Sequence, residues 1–476
     1  MGLLRDQIGN WNYGQSKIDG DGLSSAASDS AVKPAVETSP YSDIDKFHVN
    51  HKMQASFYEA KVKLHQKLLS RLDLAAAETM STEQLGLKLK DLINKLIDED
   101  ALPVNNDERH QLISDLQNEI LGLGPIEPLL ADPTITEILV NGYDRVFIER
   151  QGQLELMPIQ FNNNEHLLRI IDKIVSRVGR RIDESSPMAD ARLPDGSRVN
   201  AIIPPIALDG PTLSIRRFSV VPLRIEDLIR KHALTKGMAE FLAAMVRAKT
   251  SILISGGTGS GKTTLLNILS SFIPEGERII TIEDTAELQL QQTHVVRLET
   301  RPQNIEGKGE VPMRALVRNS LRMRPDRIVL GEVRGSEVID MLQAMNTGHE
   351  GSLTTIHANT ARDALSRLEN LVNMGGVQIP IKTLRQQISS AIHIVIQTAR
   401  LTDGSRKITS IQEITGMEGD MISMQEIFTY ERTGTGNAGV VLGHFRATGL
   451  RPLVADRIKT WGIALSDDLF EPGVIE

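Results

Sequence analysis

The stretch SILISGGTGSGKTTLLNILSSF, residues 251–272, constrains this chain more than any other. A short apolar run is followed by glycines and then by a helical pattern. Gly256 to Thr263 fit G-x-x-x-x-G-K-T, so Gly256, Gly257, Thr258, Gly259, Ser260, Gly261, Lys262, Thr263 and Thr264 form a phosphate-binding loop between a strand and a helix. Glycines let backbone N–H groups wrap phosphate oxygens, and the helix beginning near Lys262 adds the positive end of its dipole. Lys262 is placed to reach the β- and γ-phosphates of a nucleotide such as ATP, and the Thr263 hydroxyl to bind Mg²⁺. Such a loop belongs to α/β proteins with a largely parallel sheet.

The rest of the chain from about 225 to 400 agrees. SILIS, RIITIE, RIVLGE and IHIVIQT are fully apolar runs separated by helical patterns, as in a sheet covered on both faces. LTDGSRKITSIQEITG and MISMQEIFTYE read as antiparallel strands on the edge of that sheet. Between about 126 and 220 the period is two: strands around Ile135–Val140, Val146–Ile148 and Leu154–Leu156, a helix in NEHLLRIIDKIVSRVG, a hairpin on Asp195-Gly196 and a strand in TLSIRRF. Pro222 marks a linker. From 51 to 125 three amphipathic helices read as a small bundle, with Ser81/Gln84 and Asn105/Glu108 in capping-box spacing; Phe57, Val62, Leu64, Leu68, Leu69 and Leu72 form the first stripe. Residues 1–50 are rich in Ser, Asp, Gly, Ala and Pro and read as a disordered tail. The domains expected are therefore 1–50, 51–125, 126–220 and 225–476.

Composition removes several classes. There is no cysteine, hence no disulfide, thiolate zinc site or cysteine nucleophile. The net charge of −8 and 4% aromatic content offer neither a basic surplus nor a stacking platform, so nucleic acid is not an expected partner. No run of 18 apolar residues is present and the first residues lack the apolar core of a signal peptide. A cytoplasmic location is expected, with any membrane association made through a partner.

Three further motifs point at the same chemistry. TIEDTAEL puts Glu283 and Asp284 at a strand end, and RIVLGEVRG does the same for Glu332. Acids beyond the carboxyl ends of parallel strands lie where ligands bind. Glu332 is the natural water-activating base, while Glu283 and Asp284 can hold metal-bound waters or polarise the nucleophile; a helix-capping role for the latter pair remains open. In GHEGSLTTIHANT, His349 and His357 flank a short strand. Two histidines without a third ligand make a poor metal site. They read better as sensors bonded to the γ-phosphate or to Glu332, beside the alternative of structural histidines.

The order GGTGSGKTT, TIEDTAEL, RIVLGEVRG, GHEGSLTTIHAN resembles the secretion ATPase superfamily, which serves type II and type IV secretion and type IV pili. In that family the second acidic motif ends Gly-Glu rather than Asp-Glu, as Gly331-Glu332 does here. The resemblance covers about 130–430. It implies a RecA-like P-loop ATPase domain preceded by a small α+β domain, an N-terminal helical bundle and a disordered tail. It implies also that some of Arg192, Arg198, Arg216 and Arg217 reach ATP at a domain or subunit junction. The lack of cysteine departs from the branch that carries a four-cysteine zinc insert. The helical module and MADARLPDGSRVNAIIPPIALDGPTLSIRRF look most like the tight-adherence (Tad/Flp) pilus assembly ATPases. By resemblance the chain is then a homohexameric ATPase, peripheral at the inner membrane, working with Mg²⁺ on a pilus platform protein. A type IV secretion ATPase is the nearest alternative; a nucleic-acid translocase and a nucleotide-binding scaffold are more remote.

Overall fold

The computed structural model describes residues 57, 60–72, 80–150, 152–218, 223–303, 307–436 and 439–475. The expected tail and the linker at Pro222 lie outside them. The chain divides into two compact units, one reaching to Met80 and including Asp91–Arg109, the other made of Ser81–Lys90 and everything from His110 onward.

In the first unit a helix over 60–71 buries Leu64 and Leu68, with Ile93, Leu96 and Ile97 buried on the helix Thr82–Glu99. Leu69, expected in that stripe, is exposed; Leu64 and Leu68 already fill the buried face one turn apart. The Asn105/Glu108 capping box forms, each backbone N–H bonded to the other side chain at 2.9 Å.

The second unit holds two sheets. One is a six-stranded antiparallel sheet of β1 (Ile135–Asn141), β2 (Val146–Arg150), β3 (Gln153–Met157), β4 (Met188–Arg192), β5 (Arg198–Ile202) and β6 (Thr212–Arg216), in the order β3-β2-β1-β6-β5-β4. Alternation decides its faces. Ile138, Val140, Val146, Ile148, Leu213 and Ile215 pack on Leu167, Ile171 and Ile174 of the helix Asn164–Arg177. Glu137, Leu139, Arg192, Arg198, Asn200 and Arg216 fall on the opposite face. Register aligns Arg192 with Arg198, Arg198 with Arg216, and Arg216 with Glu137, so three arginines and a glutamate form one row across four strands.

The other sheet has ten strands: β7 (Ile252–Gly256), β8 (Ile279–Glu283), β9 (Val295–Glu299), β10 (Arg327–Leu330), β11 (Leu353–Ile356), β12 (Ile394–Arg400), β13 (Arg406–Glu418), β14 (Met421–Thr435), β15 (Val441–Ala447) and β16 (Gly473–Ile475). Their order is β16-β15-β14-β13-β12-β7-β11-β10-β8-β9. From β12 to β9 the strands are parallel, and the added strands from β13 outward are antiparallel. β7, β8, β10 and β11 are buried along their whole length, because one core cluster lies on each face of the sheet. This is the P-loop α/β architecture the sequence implied, with β9, β15 and β16 beyond what the periodicity showed. No helix among the described residues is long and apolar enough to cross a membrane.

Candidate nucleotide-binding and catalytic site

The loop after β7 is shaped by two close approaches. A Cβ at Gly256 would lie 2.4 Å from Thr398 Oγ1 and 2.5 Å from Ser260 Oγ, so only glycine lets β12 and the loop meet there. Ser260 Oγ donates to the Gly257 carbonyl at 2.9 Å and lies 2.9 Å from Thr398 Oγ1, folding the loop on itself. Gly259 and Gly261 have φ of +69° and +96°, the left-handed conformation that turns the chain into the helix Lys262–Ser270. Lys262 is buried, its Nζ donating to the Gly257 carbonyl at 2.9 Å and lying 3.4 Å from each ring nitrogen of His357. Burial lowers its pKa, with the Glu332 carboxylate opposing and Arg334 and Arg216 adding to the fall.

Strand ends from β8, β10 and β11 bring the other groups to this loop. Glu332 Oε1 is 3.2 Å from His357 Nε2, and its Oε2 accepts from Arg334 Nη2 at 2.8 Å. Arg334 also reaches Asp284 Oδ2 at 3.4 Å, while Asp284 Oδ1 accepts from Thr300 at 3.3 Å. Burial lowers the pKa of His357, against the pull of Glu332. Glu283 is buried, and burial pushes its carboxyl up to about 7 although the N–H groups of Glu287 and Leu288 donate to Oε2 at 2.7 and 2.9 Å. Its Oε1 is buried without a hydrogen-bond partner. Gly331 lies directly against this carboxylate, since a Cβ there would be 3.0 Å from Glu283 Cγ. Glu283 thus fills the space beside the strand end that an aspartate at 331 would need.

Facing the loop across a cleft of about 990 Å³ is the polar face of the six-stranded sheet. Arg192 donates to Glu299 Oε2 at 3.0 Å and the Ala286 carbonyl at 3.2 Å, and Arg198 to Glu287 Oε1 at 2.7 Å. Arg216 lies 3.8 Å from Glu137 and is largely exposed. Like charges in adjacent register repel, so a row of arginines persists best where anions meet it. Thr258, Gly259, Gly261, Lys262, Thr263 and Thr264 line the same cleft from the other side, with Glu283, Asp284, Glu332 and His357. Thr263, Asp284 and Glu283 bring a hydroxyl and carboxyl oxygens to the lining of this cleft, the donor chemistry that suits a hard cation such as Mg²⁺ and its waters.

Two expected residues do not join them. His349 Nδ1 is 3.0 Å from the Pro325 carbonyl, next to the amino end of β10. The four-residue strand β11 separates it from His357, so the two histidines sit at opposite ends of a strand and His349 is no γ-phosphate sensor. Arg217 follows Arg216 and therefore points to the opposite face; its Nη1 donates to the carbonyls of Leu129 and Asp132 at 3.3 and 2.6 Å. It ties the sheet to the preceding turn and does not line the cleft. Arg334 bridges Glu332 and Asp284, and its place two residues after Glu332 is the sequence signal for it.

A phosphate loop after β7, carboxylates at the ends of β8 and β10, and buried parallel strands define a P-loop nucleotide hydrolase. Residues 119–439 match the model of the type II/IV secretion system protein family, and the chain belongs to that family. It is an ATPase and a member of the secretion ATPase superfamily. It is 38% identical over 310 residues to a putative conjugal transfer protein of Mycobacterium tuberculosis, covering 64% of this chain and 88% of that one. The type IV secretion system protein VirB11 of Bartonella henselae is 34% identical over 329 residues, covering 61% and 91%. Among solved structures, the VirB11 ATPase from the Brucella suis type IV secretion system, crystallised with sulphate, shares 30% identity over 60% of this chain and 94% of that one, with a TM-score of 0.34.

Proposed function

We propose that this ATPase is the motor of a Tad/Flp-type pilus assembly system, acting as a homohexamer on an inner-membrane platform protein and peripheral to that membrane. The observation that carries the motor reading is the divided site: the phosphate loop stands on one sheet, and the Arg192–Arg198–Arg216 row stands on another. Lys262 and the loop amides hold the phosphates, Glu332 takes the proton of the attacking water with His357 beside it, and the arginines meet charge spreading over the γ-phosphoryl oxygens. Thr263 would hold Mg²⁺, with Asp284 or Glu283 holding metal-bound waters; the ion would neutralise phosphate charge. An arginine delivered from a second body only on closure couples hydrolysis to movement. The pilus assignment is supported by the helical segments ahead of residue 124 and by the absence of cysteine. The modules 1–50, 51–125, 126–220 and 225–476 are proposed as the units of this machine.

Mixing Glu332→Gln with Arg198→Ala protein tests the shared site. Partial recovery of turnover is expected if a neighbouring subunit supplies the arginine; recovery absent at every ratio, together with full turnover by Arg198→Ala alone, would reject it. A second reading, a type IV secretion ATPase, is favoured by the relatives named for conjugal transfer and for VirB11. Co-purification from membranes separates the two, since a pilus platform protein supports the first and a secretion-channel component the second.

A further inference from the structure

Two arginines outside the motifs stand at the ends of one hairpin. β12 ends at Arg400, β13 begins at Arg406, and the two are register partners. The turn between them is closed by Leu401 N–H to the Ser405 carbonyl at 2.7 Å. Asp403 accepts from the Ser405 N–H at 2.9 Å through one oxygen and from the Val441 N–H at 2.8 Å through the other, which fixes the hairpin to β15. On this rigid base Arg406 Nε donates to the Gly259 carbonyl of the phosphate loop at 2.9 Å. Arg400 Nη2 donates, at 3.1 Å, to the Gly152 carbonyl in the turn between β2 and β3, while its Nη1 lies beside Gly259, 3.7 Å from where a Cβ there would stand.

We propose that this hairpin couples the phosphate loop to the six-stranded sheet, Arg406 being a positioning residue for the loop and Arg400 the latch for the sheet. Arg406 approaches the loop through a carbonyl, so the loop amides stay turned to the phosphates while their peptide planes are held. Arg400 grips the edge of the sheet that carries the arginine row. The row meets the nucleotide in a fixed relation to the loop only while that grip holds. Neither arginine belongs to a hydrophobic core, and each bonds a single backbone carbonyl of another segment. The inference rests on the reading in which the arginine row completes the ATP site.

The test uses the full chain, with hydrogen exchange measured segment by segment alongside ATP binding and turnover. Arg406→Ala should speed exchange over 256–264 and raise the ATP Kd about tenfold, the loss of one charge-assisted hydrogen bond, while leaving 150–157 unchanged. Arg400→Ala should speed exchange over 150–157, leave the ATP Kd within about twofold and lower kcat about tenfold. Arg400→Lys should restore part of the kcat. Should either alanine variant lose its melting transition, the glutamine at the same position replaces it. Unchanged exchange at a variant's own contact segment, or weaker ATP binding with unchanged kcat in Arg400→Ala, overturns the proposal. Exchange needs no turnover, so the coupler can be judged even if Arg216→Ala shows that the row takes no part in hydrolysis.

Discussion

Gly331→Asp would restore the Asp-Glu ending common in nucleotide hydrolases, and the structure predicts that it damages this one. The new Cβ would lie 3.0 Å from Glu283 Cγ and 3.5 Å from its Cβ, with the added carboxylate beyond it. Glu283 cannot withdraw freely, because its Oε2 holds the N–H groups of Glu287 and Leu288. Overpacking costs about 1–3 kcal/mol, and releasing those N–H groups costs about 1–3 kcal/mol more. A loss of about 3 kcal/mol corresponds to a fall in Tm of roughly 6–12 °C at about 2–4 °C per kcal/mol for a domain of this size. Thermal unfolding followed by circular dichroism measures it. Glu283→Gly combined with Gly331→Asp removes the clash but leaves the N–H groups of Glu287 and Leu288 without the Glu283 carboxylate, so it should recover only the overpacking part of the loss. A Gly331→Asp protein that melts within about 1 °C of wild type would show that Gly331 is not there to make room for Glu283.

Three more outcomes follow from the site. Lys262→Ala should weaken ATP binding about 10- to 100-fold in a direct titration, since a charged donor to the phosphates is lost; an unchanged Kd would contradict its placement. Arg216→Ala should lower turnover, by up to about 10³-fold if it meets the γ-phosphate, with little change in Tm, whereas Arg217→Ala should lower Tm through its two carbonyl bonds; the reverse pattern would invert the facing of β6. The Glu283 carboxyl is raised from its ordinary 4.5 to about 7 by burial, so between those values the native chain keeps a proton that the unfolded chain has released. Its contribution to stability is present below about pH 4.5 and is lost as pH rises to about 7. The Tm of wild type should therefore fall relative to Glu283→Gln between pH 5 and 8, and parallel pH profiles would refute the raised value.

Much of this was readable from spacing. The phosphate loop, the apolar strands after it and the acids at their ends follow from patterns local to each segment. What spacing leaves open is which face a residue takes and which segments meet. Arg216 and Arg217 looked equivalent until register put one on the cleft and the other on the core side; strand alternation already allows only one of them to face a ligand. His349 and His357 looked like a pair, yet a strand between two residues sends them to opposite ends. Arg400 and Arg406 carry no local signal at all. They meet residues 152 and 259 because β12 lies beside β7 in the sheet order, a fact of long-range topology. Gly331 is similar: its reason is a glutamate on the neighbouring strand β8, not anything in its own motif.

Glu332, at the end of β10 and 3.2 Å from His357, is the residue proposed to activate the water that attacks ATP. Phosphate release by Glu332→Gln at saturating ATP tests it most directly, because the change keeps shape and removes the base. Turnover is expected to fall by about 10²–10⁴, with ATP binding retained in a parallel titration. Wild-type phosphate release by this variant would contradict the assignment and move the search for the base to Glu283 or Asp284.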